Sequence, residues 1–490
     1  MTSEPSRGTA LATLAGLFAL GCAVRFASLG VQSFHHDEVI TAARVVPGTF
    51  GEMLHQVKGS ESNPPLYYVL AWGWVKAFGT GEVALRSLSA IFGAATVPLG
   101  YRIGRELAGR RAGLMTAALL AVNPMLIWYS QEARSYAVLV FFAAASLLFF
   151  VRALRTRDPL DLTLWALTSA LALYSHYFAV FAVAIEALWL LVALRMRWRA
   201  VVPAVAAVGL AGLALVPLIS AQVNPAHIGW IDEIPLGSRA FQTSVSFLVG
   251  ETGHVIAEPP RERYALLPAL LIGAALLLVA LRGTRTEKRG ATIGAALGLG
   301  AVALAVLSAL IGEDYVVERN LLPALVPLGA AAAIGFTTAG VRRFGVVLGV
   351  GLCAYWIAFD VYVTQTPNLQ RPDYRAIVAE LGPPGAPRAI VTWKLAADPV
   401  RFYLRDRSLR VYSGTRPVRE LDVIGKSAVK RVTGVPPGFR QVARVRFERL
   451  TLTRFMSSRT RQIPFYVLRR VRTGFGSDAV VADDPRRSGS

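Results

Sequence analysis

Apolar runs constrain this chain more than any other feature. Stretches of about 20 residues with few charges recur along it, the length that crosses a bilayer core. Residues 114–129, 200–220, 264–281, 291–311 and 344–364 are examples. Backbone groups in hydrocarbon must find partners within their own segment, so such runs are helices. Composition agrees. Of 490 residues, 54% are hydrophobic and 17% charged, against about a quarter charged in soluble domains. A soluble multidomain protein is thereby excluded, and the chain reads as an all-α polytopic transmembrane bundle. Its N-terminal apolar stretch reads as a retained signal anchor, because further spans follow it. The two cysteines, Cys22 and Cys353, lie inside apolar runs and offer neither a disulfide framework nor a zinc spacing.

Charge placement supplies a topology. Basic residues cluster in alternate loops: Arg102 to Arg111, Arg152 to Arg157, Arg195 to Arg199, Arg282 to Arg289, and Arg342 with Arg343. The positive-inside rule assigns these loops to the cytoplasm. Residues 161–196 are too long for one span and long enough for two, so they are divided at "YSHYF" (174–178). About eleven spans and a cytoplasmic N-terminus result, in a multi-pass protein of the cell membrane. Arg25 and Arg86 read as side chains snorkelling to the interface, and Pro217, Pro268 and Pro323 as kinks or ends of spans.

An odd number of spans leaves the C-terminus outside. The periodicity changes from residue 365 onward. "PDYRAIVAEL" and "ADPVRFYL" read as helices, "RAIVTW" and "LRVYSG" as strands. The expected division is a transmembrane catalytic domain over 1–364 and a small soluble α/β domain over 365–490. The latter carries 25 Lys and Arg against 10 Asp and Glu, so +15 of the chain's +21 falls there. A solvated basic face explains this, as does contact with anionic headgroups or an anionic acceptor.

Polar groups gather on the outer side. "FHHDE" (34–38) places Asp37 and Glu38 at the start of a loop running to about residue 82. The loop is too long for a simple turn, and it reads as carrying interfacial helices. One spans 66–78, too short to cross, rich in Trp and Tyr, with Asn63 as its cap and Pro64 in its first turn. "YSQEARSY" adds Glu132, Arg134 and Tyr136; "SHYF" adds His176 and Tyr177; "GEDYVVERN" adds Arg319. Arginines hold phosphates by bidentate hydrogen bonds, and a carboxylate takes a proton from an attacking hydroxyl. Together they suit glycosyl transfer from a lipid-phosphate sugar.

"FHHDE", "NPPLYYVL", "LRSLSAIFG", "YSQEARSYAV", "YSHYFA" and "ERNLLPALVPL", in this order over residues 25–327, resemble the GT-C polyprenyl-phosphate-sugar glycosyltransferases. The nearest group is that of the protein O-mannosyltransferases and the lipid A aminoarabinose transferase. The resemblance implies an inverting transferase whose first outer loop carries the catalytic acidic residue, here Asp37, read as the general base, with Glu38 as its neighbour. It implies donor contacts at Glu132 and Arg134, and a lipid-phosphate contact at Arg319, although Asn320 stands where relatives often have tyrosine. His36, Tyr136, His176 and Tyr177 complete the candidate substrate contacts. No cofactor is certain; a divalent metal at His35, His36 and Asp37 stays open. The expected partners are a polyprenyl-phosphate hexose, for which mannose is one candidate, a glycan, lipid or protein acceptor, and membrane lipids. No nucleic acid is expected.

Blander readings stand beside these. Asp37 and Glu38 suit a helix N-terminus, Glu132 with Arg134 suits a structural ion pair, and His176 suits a helix end. A lipid-sugar flippase is the competing function, and a scaffold with a basic outer domain a third. A flippase predicts ionisable groups near the midplane and internal repeats; here the charges sit at span ends, without a clear repeat.

Overall fold

Eight helices among the described residues are long and apolar enough to cross a membrane: Arg7–Phe26, Glu82–Ala108, Tyr136–Thr156, Arg195–Gln222, Glu262–Arg282, Arg285–Leu310, Glu318–Phe336 and Ala339–Gln365. They are seen in a computed structural model that describes residues 4–222, 231, 234–252, 261–404, 410, 411, 413–447, 449–474 and 478–483. Three further segments are apolar but shorter or bent; with the bent pair counted as one span, the described residues hold up to nine, against the expected eleven. Two are the shorter helices Pro159–Ser175 and Ala179–Ala193, which meet at His176 in the middle of "YSHYF". The third is the pair Arg110–Val122 and Pro124–Ser130, bent by 56°.

That bend corrects the reading of 114–129 as one run. Asn123 precedes a proline and is biased away from the helical region. Its side chain accepts from Leu126 N at 3.1 Å and so caps a new short helix. The broken end leaves carbonyls without helical partners. Arg25 takes them up, donating from Nη1 to Ala121 O (2.7 Å) and from Nη2 to Leu120 O (2.9 Å). Arg25 and Arg86 are both 1% exposed, and Arg86 donates to Leu29 O at 2.7 Å. Neither snorkels; each satisfies backbone that a helix end has left open.

The helix expected over 66–78 is present as Leu66–Phe78, but Pro65 occupies its N-cap position and no side chain caps it. Asn63 and Pro64 each precede a proline, which holds both out of the helix. Pro217 stands in the first turn of Val216–Gln222, Pro268 lies inside Glu262–Arg282, and Pro323 lies in a 3-10 segment, Glu318–Ala324.

The chain divides into two compact units. The first comprises Met1–Leu29, Arg44–Glu251 and Glu258–Tyr362. Close helix approach within it rests on small residues. On Arg285–Leu310, a Cβ at Gly290, Gly294 or Gly298 would meet Leu107 O at 2.8 Å, Pro327 O at 2.6 Å or Leu328 Cγ at 2.5 Å. Large apolar side chains such as Leu266, Leu270, Leu277 and Leu281 stay exposed along Glu262–Arg282, as lipid-facing positions do.

The second unit comprises Gly30–Ala43, Thr252–Ala257 and Val363–Ser490. Among the described residues its six strands are β1 (Arg388–Trp393), β2 (Arg410–Val411), β3 (Thr415–Lys426), β4 (Phe439–Phe447), β5 (Leu450–Pro464) and β6 (Asp478–Asp483), in the order β2-β6-β1-β3-β5-β4. β1 and β3 are parallel and the other pairs antiparallel. Helices Tyr374–Leu381 and Lys394–Tyr403 pack on Ile390, Ile424, Leu450 and Leu452. Of the strand expected at "LRVYSG", Arg410–Val411 is formed and Leu409 lies outside the described residues. Arg388 and Arg454 bridge the buried Glu420 and Asp422 across β1, β3 and β5 at 2.8–3.3 Å. They also bind Leu381 O and Gly382 O, fastening a helix end to the sheet. Periodicity alone gives no sign that Gly30–Ala43 packs with this unit.

Candidate active site

In the second unit, the "FHHDE" stretch opens the helix His36–Val45. Phe34 anchors its entry: the backbone N–H donates to the Tyr403 hydroxyl at 2.6 Å, and the ring stands edge-on to Phe402 at 5.6 Å. Glu38 is fully buried. Its Oε2 accepts from His35 N at 3.3 Å and lies 3.5 Å from Arg371 Nη1. Glu38 therefore caps the helix and pairs with a cation. Asp37 differs. Its side chain is 26% exposed and its Oδ2 lies 3.9 Å from His35 Nε2. Both carboxylates sit in the first turn, where acidic side chains complement the helix dipole. Adjacent acids in unlike settings suit unlike roles.

His36 points elsewhere. Its Nδ1 lies 3.2 Å from Asp398 Oδ2, and this close contact holds the Asp398 carboxyl below its ordinary range. A divalent ion on the "HHD" run would thus fall to His35 and Asp37, without His36.

In the first unit, the bend after Pro124–Ser130 carries Glu132 and Arg134. Arg134 is 7% exposed. Its N–H donates to Glu132 O at 2.7 Å, and its carbonyl accepts from Ser89 Oγ at 3.1 Å. Its Nη1 donates to the Tyr68 hydroxyl at 3.1 Å and to Glu61 Oε1 at 3.5 Å. The same Glu61 oxygen lies 3.0 Å from Arg44 Nη1. Burial raises the Tyr68 hydroxyl well above the usual range, with Arg134 opposing and Glu61 reinforcing the shift. Glu61, Arg44 and Tyr68 escape a reading of the sequence: "GSES" carries no motif, Arg44 looks like a helix-end cation, and Tyr68 looks like an interfacial aromatic.

His176 closes the Pro159–Ser175 helix and is buried. Its ring lies 5.5 Å from Tyr136 and 5.2 Å from Phe178. Burial pushes its pKa down to about 3, with Arg134 and then Arg319 adding to the effect. The imidazole is neutral. Nδ1 accepts from Phe178 N at 3.4 Å, which leaves Nε2 to carry the proton. Tyr136 stands edge-on against Tyr129 at 4.8 Å. Arg134 and Arg319, from "SQEARSY" and "ERN", therefore lie near enough for their charges to act on His176 of "SHYF".

Tyr177 stands apart from that group. Its hydroxyl donates to Gln222 Oε1 at 2.6 Å, and Gln222 Nε2 donates to Val57 O (2.8 Å) and Asn63 O (3.1 Å). It fastens the first long loop. Asn320 donates to Tyr315 O at 2.9 Å and shapes the turn beside Arg319. The same loop is pinned by Arg239, which donates to Asp314 Oδ1 at 2.8 Å.

Residues 62–220 match the family model of dolichyl-phosphate-mannose-protein mannosyltransferase. ArnT from Cupriavidus metallidurans in the apo state superposes with a TM-score of 0.57 at 13% identity, over 91% of this chain and 98% of that chain. The same protein bound to undecaprenyl phosphate gives 0.54 at 12% identity, over 90% and 97%. At such identity the likeness is one of fold. No curated protein matches the chain. About a third of the chain, residues 62–220, is thus similar to a mannosyltransferase family, and nearly its whole length shares the multi-span fold of ArnT.

Proposed function

We propose that the protein moves a hexose from a polyprenyl-phosphate donor to a hydroxyl acceptor, with inversion, on the extracytoplasmic side of the cell membrane. Asp37 is the general base. It takes the acceptor's proton as that oxygen attacks the anomeric carbon. The bond from carbon to phosphate oxygen breaks, and Arg134 and Arg319 receive the charge of the departing polyprenyl phosphate. A single displacement of this kind inverts the anomeric centre. Glu132, Tyr136 and neutral His176 contact the sugar-phosphate; Tyr177 and His36 support the loops around it. Mannose is one candidate sugar, and the acceptor is a glycan, lipid or protein.

The nearness of Arg134 and Arg319 to His176 carries this reading. Two guanidiniums beside a neutral imidazole suit a phosphate. The fold shared with a protein crystallised with undecaprenyl phosphate points to the same donor class. For Asp37 over Glu38, the support is that Glu38 is fully buried against Arg371. The alternating basic loops support a cytoplasmic N-terminus and an outer C-terminal domain.

The test is transfer by the purified full chain in proteoliposomes. Polyprenyl-phosphate mannose labelled in the sugar, and its glucose and aminoarabinose counterparts, are supplied with a membrane extract as acceptor. Release of free polyprenyl phosphate together with labelled product supports the reading. Movement of intact donor between leaflets, with no release, would replace it with a flippase.

A further inference from the structure

Arg134 does not sit on a helix. It lies in the bend between Pro124–Ser130 and Tyr136–Thr156. A long arginine side chain in a bend has many rotamers to lose before it can hold anything. Its guanidinium is nevertheless fixed by two groups from the first long loop. Tyr68 accepts from Nη1 at 3.1 Å, and Glu61 Oε1 lies 3.5 Å from the same nitrogen. Tyr68 also hydrogen-bonds Glu61, so the three close a triangle. Glu61 then reaches a second cation, Arg44 in the last turn of His36–Val45, at 3.0 Å. Arg44, Glu61 and Arg134 are 8%, 5% and 7% exposed. One buried carboxylate oxygen thus holds two buried guanidiniums side by side.

We infer that Glu61 is a positioning residue for donor binding: it aims the Arg134 guanidinium at the donor phosphate and couples Arg44 to it. The inference rests on the assignment of Arg134 to the phosphate. A carboxylate beside a phosphate-binding arginine lowers the net attraction for the anion, so a merely additive role would make its loss harmless or helpful. The geometry predicts the reverse. Without Glu61, two guanidiniums confront one another in a buried space, repel, and Arg134 leaves its place.

The experiment measures binding to the purified full chain in detergent. The probes are a short-chain polyprenyl phosphate and the matching polyprenol, which lacks the phosphate. Glu61→Ala is expected to weaken polyprenyl-phosphate binding about 10- to 100-fold and to leave polyprenol binding unchanged, which also reports correct folding. Glu61→Gln keeps an acceptor oxygen and loses less. Glu61→Ala with Arg134→Ala binds no worse than Arg134→Ala alone. Wild-type affinity in Glu61→Ala, additive losses in the double variant, or equal loss of both probes would each overturn the inference. If the wild type itself fails to prefer polyprenyl phosphate over polyprenol, the assignment of the donor phosphate falls, and the positioning role falls with it; that outcome is distinct from a discriminating wild type with an indifferent Glu61→Ala.

Discussion

His36 Nδ1 and Asp398 Oδ2 lie 3.2 Å apart, so the residue beside the proposed base is tied to a helix of the C-terminal unit, Lys394–Tyr403. Phe34 N and the Tyr403 hydroxyl make a second tie to the same helix. The Lys394–Tyr403 helix is thereby part of what holds the "FHHDE" loop in shape.

A consequence is that Asp398→Ala acts on turnover. The pair is partly exposed, and its direct contribution to stability is small. Small displacements of a base are costly to rate, however. Turnover is expected to fall about 3- to 10-fold with little change in donor KM, and His36→Ala with Asp398→Ala to be no slower than the worse single variant. Steady-state kinetics of the three variants checks this; additive losses would show that the two residues act independently.

His176 sets a pH dependence with a defined sign. Its native pKa is about 3, against an ordinary 6.5, so between these values the unfolded chain binds more protons than the native one. Stability is full above about pH 6.5 and is lost as pH falls towards 3. Thermal unfolding in detergent at pH 7.5 and pH 5.0 is expected to show a lower midpoint in acid for the wild type. His176→Gln narrows that difference. An unchanged gap would assign the acid sensitivity to other groups.

Glu186 is buried in the helix Ala179–Ala193. It accepts from the Ser146 hydroxyl and from Trp165 Nε1 at 2.8 Å, and Ser146 and Ser169 share a hydrogen bond of 2.9 Å. The partners are neutral donors, so the network needs an acceptor and not a charge. Glu186→Gln is expected to keep transfer activity and stability near wild type. Glu186→Ala strands the donors and costs about 1–3 kcal/mol. Thermal unfolding of both variants decides it, and equal losses would point to a need for the carboxylate itself.

Much of the bundle is legible in the sequence because a bilayer enforces it: apolar length sets the spans, and the polar "YSHYF" marks where two short helices meet. The break at Asn123 is harder to see, because the residues on either side are as apolar as those of an unbroken span; only the Asn-Pro step betrays it. Arg25 and Arg86 look like snorkelling side chains from their positions at span ends, and what buries them is the open backbone of other segments, a long-range matter. The nearness of Arg134 and Arg319 to His176 follows from stretches that already carry polar residues. Glu61 does not, since an acid in a Ser-rich loop looks solvated until its two arginines are seen around it.

The central claim is that Asp37 deprotonates the acceptor. The most direct measurement compares wild type with Asp37→Asn at matched protein in proteoliposomes, following transfer of labelled sugar from a polyprenyl-phosphate donor and, separately, donor binding. Asparagine keeps the size and removes the basicity. Transfer is predicted to fall about 10²- to 10⁴-fold with donor binding retained. Equal transfer by both proteins would contradict the account and remove Asp37 from the chemistry.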